Sequence, residues 1–113
     1  MEHIRAGRLR ALAVTSETRT KALLDVPAMR DFVPGYEADA WGGIGAPKGT
    51  PDDIIERLNR AINAVLADPL AQTRLEELGG VPMPMTPAEF GRFIAVQTEK
   101  WGKVVSFSGA KAR

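Results

Sequence analysis

The chain has 113 residues, of which 44% are hydrophobic and 26% are charged, a composition typical of one folded domain and not of a disordered tail. Fifteen basic and fourteen acidic residues leave a net charge of +1, so no field of one sign exists that would concentrate a nucleic acid, and we expect no nucleic-acid partner. The absence of cysteine excludes disulfides, thiolate nucleophiles and cysteine-bound zinc.

The first 36 residues predict one strand and one short helix. The start of the chain lacks the apolar run of a signal peptide, so we expect no signal peptide and no membrane-spanning segment in this sequence. Residues near 9–15 are short and largely apolar and lead into a polar run, which predicts a buried strand followed by a loop. Asp25-Val26-Pro27 predicts the start of a short helix that Pro34-Gly35 would end.

The middle of the chain predicts a second strand and the first long helix. The small residues near 38–46 indicate an extended segment that another backbone can approach closely. After a turn, Thr50-Pro51 supplies a helix N-cap and a proline suited to the first helical position, so we predict a helix near 51–67.

Two further helices are predicted by their caps. Asp68-Pro69 and Gly79-Gly80 bound a helix near 69–78. Thr86 and Glu89 form a capping box that starts a helix near 87–106. Trp101 lies on the apolar stripe of that last helix, which predicts a core position for its indole.

Two strands are too few for a stable sheet. A buried strand needs hydrogen-bonding neighbours, because each unpaired buried backbone group costs about 1–3 kcal/mol. We therefore expect these strands to find their sheet partners outside this sequence, in the rest of a larger fold or in another subunit.

No catalytic site, metal site or cofactor is predicted. The glycine-rich stretch 42–50 is not a phosphate-binding loop, because it places Lys48 before Gly49-Thr50 and its Pro47 removes a backbone donor. His3 is the sole histidine, which leaves nothing for a catalytic triad or a histidine metal site. Trp41, among glycines, is interpreted either as packing or as the lining of a cleft.

The order and spacing of the motifs resemble the C-terminal part of the Bug-type receptors of tripartite tricarboxylate transporters over nearly the whole chain. The matching residues are 3–16, 19, 25–27, 33–37, 41, Ala46-Pro47-Lys48-Gly49-Thr50-Pro51, Arg57-Leu58-Asn59, Leu78-Gly79-Gly80, Thr86-Pro87-Ala88-Glu89-Phe90 and Trp101-Gly102-Lys103-Val104-Val105. The resemblance implies an α/β periplasmic-binding-protein fold of two lobes, with residues 1–36 as a remnant of the second lobe. Residues 37–113 would form a crossing strand and the helices that complete the first lobe.

The same resemblance implies a function. Such a receptor encloses a small organic anion between its lobes in the periplasm and is then recognised by the membrane subunits of the transporter. Thr15 and Ser16, at the loop end of the first strand, and Trp41, near the crossing, are the expected ligand-binding residues. The alternative is a helical interaction module, a homo-oligomer formed through the unpaired strands, that binds no ligand of its own.

Overall fold

The structure is a computed structural model, and it describes residues 1–110. Four α-helices and two short 3-10 turns account for its regular structure. The helices are α1 (Glu2–Arg5), α2 (Asp52–Ala67), α3 (Pro69–Glu77) and α4 (Pro87–Ser108), and the 3-10 turns are Lys21–Leu23 and Met29–Asp31. The three long helices confirm the predicted ranges 51–67, 69–78 and 87–106 to within two residues at each end. Neither α1 nor the first 3-10 turn was predicted.

Helix α2 begins at Asp52, one residue later than predicted. Pro51 occupies the N-cap position and makes no side-chain capping bond. The hydroxyl of Thr50 donates instead to the carbonyl of Pro47 at 2.8 Å, so the predicted capping role of Thr50 is wrong. Asp52 and Asp53 lie in the first turn, where carboxylates are stabilised by the helix dipole.

Helix α3 has the predicted cap and the predicted stop. The carboxylate of Asp68 accepts hydrogen bonds from the backbone N–H groups of Leu70 at 2.9 Å and Ala71 at 3.0 Å. Gly79, with φ +84°, takes the left-handed conformation that ends many helices. The next amide, that of Gly80, donates back to the carbonyl of Leu75 at 2.8 Å.

Helix α4 starts with the predicted capping box. The backbone N–H of Thr86 donates to the carboxylate of Glu89 at 2.8 Å, and the N–H of Glu89 donates to the Thr86 hydroxyl at 3.2 Å. Two backbone donors that the helix itself leaves free are thereby satisfied. At the other end, Gly109 adopts a left-handed φ of +67°, and the helix stops there.

The predicted strands near 9–15 and 38–46 need correction. Within residues 1–110 the only strand pairing is an isolated parallel bridge between Val14 and Ala28. Val14 donates to the carbonyl of Pro27 at 2.9 Å and accepts from the N–H of Met29 at 2.8 Å. A strand exists only where a neighbour takes up its backbone groups. Within residues 1–110 the two predicted strand segments have only the bridge at Val14 and one hydrogen bond from the N–H of Ala38 to the carbonyl of Thr15. The helix predicted to start at Asp25 reduces to the 3-10 turn Met29–Asp31.

The described part of the chain does not enclose a core of its own. Among residues 1–110 only Ala28 is buried, with 2% of its surface exposed. The accessible surface is 9379 Å², whereas a compact protein of this mass exposes about 6,100 Å². The radius of gyration is 17.2 Å, against about 13 Å for a compact chain of this length. Trp101 is 36% exposed, so its predicted burial in a core is not found here.

No helix in the described range 1–110 is both long enough and apolar enough to cross a membrane.

Candidate functional site

The loop that follows Val14 carries the two predicted hydroxyl groups. Thr15 is exposed, and its carbonyl accepts a hydrogen bond from the N–H of Ala38 at 3.1 Å. The Ser16 hydroxyl donates to the carbonyl of Thr18 at 2.8 Å, which fixes its rotamer and leaves its oxygen available as an acceptor. The loop therefore presents one outward hydroxyl, on Thr15, beside one that is already oriented.

Two ion pairs hold this loop against the 3-10 turn Met29–Asp31. Glu17 pairs with Arg30, and Arg19 pairs with Asp31 at 3.8 Å. The guanidinium of Arg19 also donates to the carbonyl of Leu24 at 3.4 Å. Each positive group is thus matched by a carboxylate, and the loop is positioned by side chains rather than by a sheet.

Trp41 packs on helix α4 and keeps an accessible side. Its ring makes edge-to-face contacts with Phe90 and Phe93, at centroid separations of 5.8 and 5.2 Å. Gly43 lies so close to the same cluster that an added Cβ would be 2.8 Å from Cε1 of Phe90 and closer still to Cζ. Trp41 remains 39% exposed. The packing interpretation agrees with these contacts, and the lining of a cleft stays a prediction.

The structure links the three predicted ligand residues only through the backbone. The Ala38–Thr15 hydrogen bond brings the loop to within three residues of Trp41 along the crossing segment. No hydrogen bond within residues 1–110 joins the side chains of Thr15 or Ser16 to Trp41. Thr15, Ser16 and Trp41 do not form a pocket by themselves.

Two concave regions lie elsewhere. One is a cleft of about 540 Å³ between residues 18–22 and the helices α2 and α3. The other is a mostly apolar groove of about 270 Å³ between residues 42–46, helix α2 and residues 83–87. Neither is lined by Thr15, Ser16 or Trp41. Sequence patterns gave no signal for the cleft, because residues far apart in the chain form its walls.

Most charged groups of the described chain are exposed, and six ion pairs join some of them. The Lys21 ammonium donates to the carboxylate of Glu76 at 2.9 Å, and this hydrogen bond, with the adjacent negative charge, raises the pKa of Lys21. The hydrogen bonds from the Thr86 backbone and hydroxyl lower the pKa of Glu89. No group of three acidic or histidine side chains in residues 1–110 is arranged to hold a metal ion.

Comparisons with known proteins identify the family of this fold. Residues 1–109 match the family model of the tripartite tricarboxylate transporter family receptor, TctC. The protein BugT of Bordetella pertussis is 39% identical over 100% of this chain. Among solved structures, R. palustris Rpa4515 with adipate superposes with a TM-score of 0.83 at 34% identity over 96% of this chain. The periplasmic binding protein BugD gives a TM-score of 0.82 at 31% identity over 99% of the chain.

The chain spans about a third of the length of these relatives, namely 35% of BugT, 36% of Rpa4515 and 38% of BugD. The predicted helix-rich portion of a periplasmic-binding-protein fold is confirmed by these superpositions. The matched family is one of periplasmic solute receptors and not of enzymes. The chain belongs to the tripartite tricarboxylate transporter receptor family.

Proposed function

We propose that this chain forms part of an extracytoplasmic receptor that binds a small carboxylated solute for a tripartite tricarboxylate transporter. The observation that carries the proposal is the superposition of 96% of the chain on a relative solved with adipate, at 34% identity. Adipate has a carboxylate at each end, so its receptor needs hydrogen-bond donors at two separated points. Family membership supports location in the periplasm and recognition by the transporter's membrane subunits.

In this proposal the exposed loop after Val14 supplies donors from the second lobe. Residues 1–36 belong to that lobe, and residues 37–113 cross back and complete the first. The hydroxyl of Thr15 is exposed and has no hydrogen-bond partner among residues 1–110, so it is available to a carboxylate oxygen. Ser16 orients the loop and contributes its oxygen to a ligand hydroxyl or to a bridging water. The accessible side of Trp41 covers the aliphatic part of the solute.

Closure of the two lobes provides the signal. A ligand that contacts both lobes favours the arrangement in which they meet, and the membrane subunits recognise that arrangement. The chain has no catalytic step in this scheme. The receptor acts by binding the solute and adopting the closed arrangement of its lobes.

A chimera tests the proposal. The corresponding third of Rpa4515 is replaced by this chain, and adipate binding is measured by calorimetry against adipamide, its uncharged analogue. We expect adipate to bind and adipamide to bind far more weakly. Thr15→Ala removes a hydrogen bond to a charged group, worth about 1.5–3 kcal/mol, and so raises Kd by a factor on the order of 10–100.

The matched control is Thr98→Ala on helix α4. The hydroxyl of Thr98 donates only to the carbonyl of Ile94, at 2.8 Å, and the side chain is exposed, so its removal leaves Kd unchanged. Equal Kd values for the Thr15→Ala, Ser16→Ala and unaltered chimeras would contradict the assignment of the ligand to this loop. A folded chimera that binds no carboxylated solute would contradict the receptor function of this chain.

The second candidate function is a helical interaction module that forms a homo-oligomer through its unpaired strands. The exposed apolar surface favours it, because Ile44 is 70% exposed in the unpaired segment and Leu12 is 76% exposed near the bridge. Sedimentation of the 113-residue chain distinguishes the two. A concentration-dependent dimer, together with a chimera that does not bind adipate, would favour the interaction module. A monomer, together with an adipate-binding chimera, would favour the receptor.

A further inference from the structure

The cleft of about 540 Å³ has walls from two distant parts of the chain. One wall is the loop 18–22, and the other comprises the end of α2, helix α3 and residues 80–84. Its lining mixes polar groups, among them Arg19 and Gln72, with apolar side chains such as Leu66. The width of the cleft is therefore the distance between the loop and helix α3.

A single charged pair spans this cleft. The ammonium of Lys21 lies 2.9 Å from Oε1 of Glu76, with 81% and 40% of the two side chains exposed. Among the hydrogen bonds within residues 1–110, it alone joins residues 1–36 to residues 47–110. Another ion pair lies close to this boundary. Lys100 of α4 pairs at 3.3 Å with Glu37, which is the first residue after the segment 1–36.

Packing across the cleft is limited to partly exposed side chains. Among the first 36 residues only Ala28 is buried, and the 3-10 turn Lys21–Leu23 is the part of this segment that contacts helix α3. Exposed ion pairs usually contribute little to stability, but this pair is the only direct hydrogen bond between the two walls within residues 1–110. On the other wall, Glu76 lies in the last turn of α3.

We propose that Lys21 and Glu76 form a latch that closes this cleft and fixes the distance between residues 1–36 and helix α3. Both are positioning residues, since they act on the placement of the loop that carries Thr15 and Ser16 and not on a ligand. The effect of the latch on solute affinity rests on the proposed function, but the latch itself does not. Breaking it frees the loop to move away from α3, and restoring the pair with the charges exchanged restores the distance.

Spin labels measure the latch in the chain as it exists. The sequence has no cysteine, so Leu24→Cys and Glu77→Cys introduce the only two labelling sites, one on each side of the cleft and neither in its lining. We expect a single narrow distance distribution by pulsed electron paramagnetic resonance. Lys21→Glu and Glu76→Lys each broaden it and shift it to longer distances, and the double exchange K21E/E76K returns it to the original.

The matched control is Lys103→Glu. It breaks an exposed ion pair of similar geometry, Lys103 with Glu99 at 2.6 Å, inside helix α4, and is expected to leave the distribution unchanged. Salt provides a second test. At 1 M the Debye length is about 3 Å, so an exposed ion pair is screened. We expect the distance distribution of the unaltered chain to shift toward that of Lys21→Glu. Identical distributions for Lys21→Glu and the unaltered chain would overturn the latch, as would failure of the double exchange to restore the distance.

A test without any substitution is available should the variants not fold. A zero-length carbodiimide reagent couples an amine to a carboxylate only when the two are in contact. The latch predicts a Lys21–Glu76 cross-link in the unaltered chain at a yield comparable with that of Lys103–Glu99, read by peptide mass spectrometry. Absence of the first cross-link in the presence of the second would overturn the proposal independently of any ligand-binding result.

Discussion

The two halves of this molecule are stabilised in different ways. In residues 51–109 each long helix satisfies its own backbone, and Asp68, Thr86 and Glu89 complete the helix starts. In residues 1–46 the backbone forms one short helix, two 3-10 turns, isolated turn hydrogen bonds and a single bridge at Val14, and ion pairs such as Arg19–Asp31 add side-chain contacts. The helical region therefore carries its own local stability, whereas the first region lacks regular backbone pairing within residues 1–110.

The aromatic cluster joins the two regions and gives the largest expected effect. An added Cβ in Gly43→Ala would overlap the ring of Phe90, which Trp41 and Phe93 hold in place. Overpacking of this kind costs about 1–3 kcal/mol, and we expect the crossing segment to leave helix α4. The measurement is the free energy of unfolding followed by Trp41 fluorescence in a Trp101→Phe background.

The control for that prediction lies two residues away. Gly45 has nothing within 4 Å of its added Cβ, so Gly45→Ala is expected to leave the Trp41 signal and the free energy of unfolding nearly unchanged. Equal effects of the two substitutions would show that the segment is not anchored where the structure places it. The aromatic cluster would then not be the contact that joins the two regions.

Within the helical region the caps give a smaller effect. Thr86→Ala removes a hydroxyl that accepts from the N–H of Glu89 and is expected to lower the helical stability by about 1 kcal/mol. Thr50→Ala removes a hydroxyl that bonds only to Pro47 and is expected to leave the helices unaffected. Circular dichroism during urea unfolding measures both. A larger loss for Thr50→Ala would reverse the assignment of the caps.

The pH dependence of α4 gives the smallest effect. The pKa of Glu89 is lowered in the folded chain from its ordinary 4.5, chiefly by the Thr86 backbone hydrogen bond. A lowered folded-state pKa means that the carboxylate stabilises the helix above about pH 4.5 and that this stabilisation is lost as the pH falls through the folded value. We expect a small loss of helical signal in that range. Glu89→Gln abolishes this loss, whereas the control Glu77→Gln retains it.

The sequence predicts the helical region, residues 51–109, better than it predicts residues 1–46. The Asp68 and Thr86 caps and the stop at Gly79 were predictable, because each is decided within a few residues. The strands were not, because a strand depends on a partner that is distant in sequence or lies outside it. The Thr50 cap failed for a third reason: the hydroxyl donates to the carbonyl of Pro47 in the preceding turn, and the N-cap position of α2 falls on Pro51.

The candidate site shows the same limit. Thr15, Ser16 and Trp41 were located by motif order, and the structure adds only that a backbone bond between Thr15 and Ala38 brings their segments together. Lys21 and Glu76 gave no signal, because they are 55 positions apart and no pattern of local spacing connects them. Contacts of this kind appear only when the chain is folded.

Amide hydrogen exchange tests the central claim most directly. That claim is that the backbones of residues 9–14 and 38–46 find their partners in the rest of the receptor fold. In the 113-residue chain we predict fast exchange at these amides, except at Leu9, Val14 and Ala38, which are hydrogen-bonded, and slow exchange in the middle of α4. In the Rpa4515 chimera the same amides should become protected. Protection of both segments in the chain alone, at the level of α4, would contradict the account.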